Sequence, residues 1–507
     1  MVRLSSVLYR VLAAAAVAAA VGCAQLAGIQ DTNGNARPGA SVAVTRMSVG
    51  SKIVLAPLDP GQLPATYFVA SSDPSGFDRI PAVPDPVHGG WTTKLRAAAP
   101  VEFTLPDVPT PIPRLFAFPS PQLSVLYGVL EHPNPQAAPM GATFAVSATL
   151  DAPVAAGQSF QTYVVGAWLA RGFSAAELPV PPSQQLGPLT IAFTAANSIP
   201  GRGQIDQVTP DDAFLILRYT GAALTGVAEA PAFAQTDMAT TVPPATMTAV
   251  PQDQKLDVKI TPATIAARYT KVAPAVATLQ MSWSLVAAPG SSIASNTGPA
   301  LLSGGVMMTD PGVSVSYGNP FVARGWNTIF TLATSESRVY APMGPMGMPT
   351  PITLFAGMNQ FFDPAHATDL ELPAGLPQSI TFGDVLLTSD IVTVKAPTKF
   401  VDVSFTVDTP MLSTGPAPSP TIYELQVFDL VVNSTATGLD RRFVLDAVSD
   451  APKFALPPEV FQAGHSYSLR AIADLGGFPT VDQGNFLNRQ LPLAQGYLDG
   501  GVVTVMP

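Results

Sequence analysis

Four histidines, one cysteine and 35 acidic residues are the groups in this 507-residue chain best suited to chemistry. His88, His132, His366 and His465 stand far apart, so no HExxH or HxH pair is available to grip a metal. In "FDPAHATD" (362–369), Asp363, His366 and Asp369 fall at three-residue steps. Such spacing makes one face only on a helix, and Pro364 marks a loop. "GFSAA" (172–176) and "GQSFQ" (157–161) lack the last glycine of a nucleophile elbow. P-loop, GxGxxG and CxxC patterns are absent too, and neither a cofactor nor a metal is expected. "PDPVHGGW" (84–91) sets Asp85 and His88 near Trp91, beside two glycines. Aromatic faces pack on sugar rings, so Trp91 is the candidate glycan contact; the other reading is a core anchor behind a plain turn. A triad or carboxylate pair assembled from distant residues leaves no local signature.

Cys23 sits at the edge of an apolar run, "MVRLSSVLYRVLAAAAVAAAVGC". Arg3 and Arg10 form a basic start, and Val11 to Gly22 is an apolar stretch with a small-residue end. A bilayer span needs about 20 apolar residues. This run is shorter and reads as a secretory signal. Ala20-Val21-Gly22-Cys23 resembles the lipobox of bacterial lipoproteins. That resemblance implies cleavage between Gly22 and Cys23 and a palmitate-type lipid anchor on Cys23, making the membrane a partner. Ala24, in place of Asp, implies the outer membrane. Residues 1–22 are then the signal peptide and 23–39 a lipidated tether of small polar residues. A secreted chain with no second cysteine has no disulfide framework and no thiol to mispair with Cys23.

Lys and Arg number 25 against 35 Asp and Glu. This acidic balance argues against nucleic acid as a partner. Charged residues are only 12% and hydrophobic residues 47%, enough apolar content for several cores. The 53 prolines arrive about once every ten residues. Proline breaks helix interiors and suits turns and strand starts, so this spacing predicts short strands and an all-β chain. Period-two runs agree: "VDVSFTV" (401–407), "TFAVSATL" (143–150) and "QMSWSL" (280–285) each alternate apolar and polar residues. "AFLILRY" (213–219) is apolar nearly throughout, as in a strand covered on both faces. One helical turn is expected at "FSAAELP", where Ser174 and Glu177 form a capping box and Pro179 stops it.

Proline-rich breaks at 131–140, 240–254 and 363–379 divide the chain into four expected β-sandwich modules: 40–137, 138–255, 256–385 and 386–507. Trp91, Trp168, Trp283 and Trp326 fall one or two to each of the first three modules, as core anchors or as aromatic platforms. In the last module, "TIYELQVFDL" (421–430) and "KFALPPEVFQAGHSYSLRAIA" (453–473) resemble a fibronectin type III sandwich through Leu456-Pro457, Gly464 and Tyr467. With the proline-rich breaks, the expected architecture is tandem immunoglobulin- or fibronectin-like modules. The resemblance, over about 397–476, implies a fibronectin-like sandwich with a binding or spacing role. It also implies that the Tyr467 hydroxyl bonds upstream backbone, with Leu469 and Ala471 sharing its face and Ser468 and Arg470 turned to solvent. The functional expectation is a non-enzymatic cell-envelope lipoprotein serving binding, adhesion or scaffolding, with a glycan or envelope protein as partner. The alternative is a carbohydrate-active or other secreted hydrolase with a scattered site.

Overall fold

The structure is a computed structural model that describes residues 40–507 with short interruptions, the longest at 195–204 and 290–297. Gly22, Cys23, His88, His132, Trp168 and His366 lie outside the described residues. Strand makes up 61% and helix 6%, in multiple sheets with no closed barrel. The all-β, sandwich-type expectation is borne out. Among the described residues one α-helix occurs, Pro262–Tyr269; it opens on proline, which suits a first helical turn.

Strands form where alternation predicts them. Val401–Val407 buries Val401, Val403 and Phe405, while Asp402 and Thr406 are exposed. Thr143–Thr149 buries Phe144, Val146 and Ala148 in the same way. Leu215–Thr220 has an apolar run with no polar face to spare, and the fold uses both sides. Leu215 and Leu217 enter the largest core, whereas Ile216 enters a second core with Phe144 and Phe214. The capping box forms as well: the Ser174 amide donates to Glu177 Oε2 at 2.9 Å at the turn Ala175–Glu177.

The C-terminal region is a two-sheet sandwich. Ile422–Val432 pairs antiparallel with both Leu439–Ser449 and Ser466–Gly476, which in turn pairs with Leu493–Met506. The second sheet joins Pro377–Phe382 and Val385–Leu387 to Val401–Val407 and Lys453–Leu456. Val403, Phe405 and Phe454 share a core with Leu425, Val427 and Leu469.

The expected modules are not self-contained. Ile112–Ala117 runs parallel to Leu439–Ser449, and Gln122–Val129 runs parallel to Asn485–Phe486. Ile352–Phe362 pairs antiparallel with Leu493–Met506. The core around Val42, Phe103 and Phe116 is completed by Ile422, Val448 and Phe486. Two expected boundaries, 255/256 and 385/386, fall inside strands Gln254–Ile260 and Val385–Leu387. The proline-rich stretch 240–254 is no linker: Ala239–Thr241 and Ala245–Thr246 run parallel to Thr143–Thr149. Proline fits between such short edge segments because no ladder hydrogen bond is asked of its nitrogen.

Tyr467 meets its expectation. Its hydroxyl accepts from the Gln462 amide at 2.8 Å, and Tyr467, Leu469 and Ala471 are all buried in the main core. Gly464, just before the strand, takes φ 86°, a left-handed conformation that glycine adopts without strain. The solvent assignment of Ser468 and Arg470 is corrected, because the other face of the sheet is also covered. Ser468 is 1% exposed. Arg470 donates to Asp499 through Nε at 2.7 Å and Nη2 at 3.2 Å. Asp499 is 1% exposed and also accepts from Arg441 Nη2 at 2.7 Å and the Phe355 amide at 2.7 Å. Both guanidinium groups stack over Phe428, at 5.5 Å for Arg441 and 5.7 Å for Arg470. Burial alone would raise the Asp499 carboxyl, but Arg470 and then Arg441 hold it below its ordinary 3.8.

Removing one partner of a buried ion pair costs about 3–5 kcal/mol. Asp499→Asn and Arg470→Ala are therefore expected to destabilise by about that much at pH 7, against about 1–3 kcal/mol for Tyr467→Phe. Because the folded carboxyl titrates below its unfolded value, the Asp499 contribution is present above that value. It fades as pH falls below about 3.8. Urea melts at pH 7 and pH 3 check both points; an Arg470→Ala cost below that of Tyr467→Phe contradicts the buried network.

Candidate functional site

A cleft of about 390 Å³ opens where the sheet of Gln254–Ile260 and Gly312–Tyr317 meets the long strand Trp326–Tyr340. Gln254 pairs with Tyr317 across the smaller sheet, which brings the start of one strand beside the end of the other. The chain leaves Tyr317 through a tight turn to Trp326. Asn319 shapes that turn: its Nδ2 donates to the Trp326 carbonyl and to Thr328 Oγ1, both at 3.1 Å, and its Oδ1 accepts from the Phe321 amide at 2.9 Å. Gly325, at φ 75°, closes the short helical turn Val322–Arg324 and lets the long strand begin. Phe321 and Trp326 pack with ring centroids 5.1 Å apart.

Tyr317 and Trp326 line the cleft from largely buried positions, 4% and 3% exposed. Gln254, Lys255, Asn327, Thr328 and Asp363 supply its polar rim. Burial pushes the Tyr317 hydroxyl up, and neighbouring Asp363 adds to that, while a hydrogen bond with Thr328 opposes it. The phenol therefore stays neutral at any ordinary pH. The arrangement offers amides, a hydroxyl, one ammonium and one carboxylate in one concavity, with Tyr317 and Trp326 as its buried floor. It suits a ligand rich in hydroxyl groups, because each of these groups bonds a hydroxyl well.

A second polar centre lies on the C-terminal sheet. Asp446 is 0% exposed and pairs with Arg114 at 2.7 Å. Glu424 is half-buried and bonds Gln426. Burial, then the Asp446 charge and a hydrogen bond with it, pushes the Glu424 carboxyl well above its ordinary 4.5. Asp474 adds to that push and accepts from Gln495 Nε2 at 3.0 Å. A carboxyl pushed up by burial beside a second carboxylate resembles one half of a catalytic pair. Here the sealed position of Asp446 keeps the pair from substrate.

Trp91 is corrected from glycan contact to core residue. It is 1% exposed and stacks on Phe103 with centroids 5.6 Å apart. Its neighbour Gly90 serves strand packing: a Cβ there would come within 2.0 Å of the Val42 carbonyl oxygen. Trp283 is likewise buried, at 7%. His465 sets Nδ1 3.0 Å from the Asp429 carboxylate, which also pairs with Arg442. Asp363 and Trp326 come together in the cleft although sequence reading treated them separately. Tyr317, Asn327 and Gln254 carried no local signal, since they arrive from different strands.

No protein family and no curated protein sequence matches the chain. Among solved structures, Salmonella alpha-2-macroglobulin reacted with methylamine is 13% identical, with a TM-score of 0.13. That alignment covers 92% of this chain and 29% of the other; at this score it carries no argument.

The raised Glu424 carboxyl yields a pH test. A carboxyl raised on folding favours the native state at low pH and opposes it as pH rises past the unfolded value, near 4.5. Glu424→Gln removes that opposition. Urea melts at steps from pH 4 to pH 8 are expected to show the variant gaining on the wild type as pH rises. A constant difference across the range contradicts a Glu424 carboxyl raised by burial.

Proposed function

We propose that this chain is a non-enzymatic, lipid-anchored protein of a bacterial cell envelope, held at the outer membrane through Cys23, with a β body that binds a neutral glycan. The single observation that carries the ligand class is the cleft itself, where Asn327, Gln254, Thr328 and Asp363 stand around Tyr317 and Trp326. A glycosidase needs two carboxyl groups facing its substrate, and Asp363 is the one carboxylate among the residues lining this cleft. The anchor rests on Ala20-Val21-Gly22-Cys23. Diacylation holds a protein at a bilayer where one chain binds only reversibly. The first described strand, Ser41–Val49, begins 18 residues beyond Cys23, a reach of at most about 60 Å.

Two measurements test this reading. Fatty-acid labelling is expected to mark the wild type and leave Cys23→Ser unlabelled and released from the membrane; a labelled variant contradicts the anchor. In affinity electrophoresis against envelope polysaccharides, Asn327→Ala and Asp363→Ala are each expected to weaken retention about 5-fold, the worth of about one hydrogen bond. Equal retention of wild type and both variants contradicts the cleft as the binding site.

A further inference from the structure

We infer that a second, smaller cleft, centred on Arg338, binds a small organic carboxylate with a short apolar tail. The cleft measures about 200 Å³ and is lined by Arg338, Tyr340, Gln378, Ser379, Leu386 and Leu387, among others. Arg338 stands out by what it lacks. Arg79, Arg114, Arg171, Arg218, Arg268, Arg324, Arg441, Arg442 and Arg470 each pair with a carboxylate. Among the described residues Arg338 has no such partner, in a chain with ten more acids than bases. It is also half-buried on the strand Trp326–Tyr340, so its charge is only partly solvated.

A planar guanidinium presents paired donors that match a carboxylate, and partial burial strengthens the bond. Glu336, two positions back along the strand, does not line the cleft. Beside the cation the walls turn apolar. Leu386 is 50% exposed on the hairpin formed by Pro377–Phe382 and Val385–Leu387. Ser379 is partly engaged, its hydroxyl 2.7 Å from that of Thr406, and the Gln378 amide and Tyr340 also bring polar groups to the lining. A volume near 200 Å³ holds about six or seven water-sized groups. That matches a carboxylate carrying four or so carbons, with its charge on Arg338 and its tail on Leu386.

Saturation-transfer NMR on the full chain with sodium pentanoate tests the assignment. Pentanoate is expected to bind saturably, with its methyl group receiving the strongest transfer. Pentanol and inorganic phosphate, which each carry half of the chemistry, are expected to bind at least tenfold more weakly. Arg338→Gln should reduce pentanoate affinity at least tenfold, Arg338→Lys should fall between, and Leu386→Ser should reduce it several-fold. Unchanged melting temperatures establish that the variants fold. Absence of pentanoate binding, equal binding by Arg338→Gln, or equal binding of phosphate each overturns the proposal. The glycan cleft shares no residue with this one, so the two readings fail independently.

Discussion

A carboxylate sealed from water is tolerable only when donors surround it, and Asp499 imposes that demand on the C-terminal half of the molecule. Its donors come from Ile352–Phe362, Leu439–Ser449 and Ser466–Gly476, while it sits on Leu493–Met506 itself. Four strands are thus referenced to one pair of oxygens. Hydrophobic burial is non-directional and would accept several strand arrangements; this carboxylate accepts far fewer. Asp408 plays a similar part nearby. It takes Arg268 Nε at 2.9 Å from the helix Pro262–Tyr269 and the Leu376 amide at 2.6 Å, tying the third expected module to the fourth. In a chain with only 12% charged residues, many of the charges serve as cross-links between distant segments.

What the amino-acid order made legible was local. Alternation located Val401–Val407 and Thr143–Thr149, and an unbroken apolar run marked Leu215–Thr220 as covered on both faces. The resemblance to a fibronectin type III sandwich anticipated that the Tyr467 hydroxyl bonds upstream backbone, which is the Gln462 amide. Period two says which residues share a face; it does not say what covers the opposite face. Arg470 was therefore put on the correct side and given the wrong surroundings. Trp91 failed for a related reason: glycines beside an aromatic ring suit ligand access and tight strand packing equally, and only the position of Val42 decides. The cleft stayed invisible because residues 254, 317, 327 and 363 meet only after two sheets pack.

The two clefts differ in how their polar groups are committed. At the larger one, Asn319 spends its amide on the turn and on Thr328, while Lys255 and Asn327 are exposed to solvent. At the smaller one, Arg338 has no acid partner among the described residues, unlike the arginines that pair with carboxylates. Buried polar atoms in folded proteins are nearly always paired, so unspent hydrogen-bonding capacity in a concavity is what separates a recognition surface from scaffold.

Parallel pairing of Ile112–Ala117 with Leu439–Ser449 also fixes a timetable. Arg114 and Asp446 lie 332 positions apart, and synthesis runs at about 5–20 residues per second. Roughly 15–70 seconds thus separate the appearance of the two strands. Throughout that interval Phe103 and Phe116 lack Ile422, Val448 and Phe486, which complete their core. Long-range closure of this kind is slow and leaves sticky edges open. The core that the first strands begin is therefore closed by some of the last residues to be made.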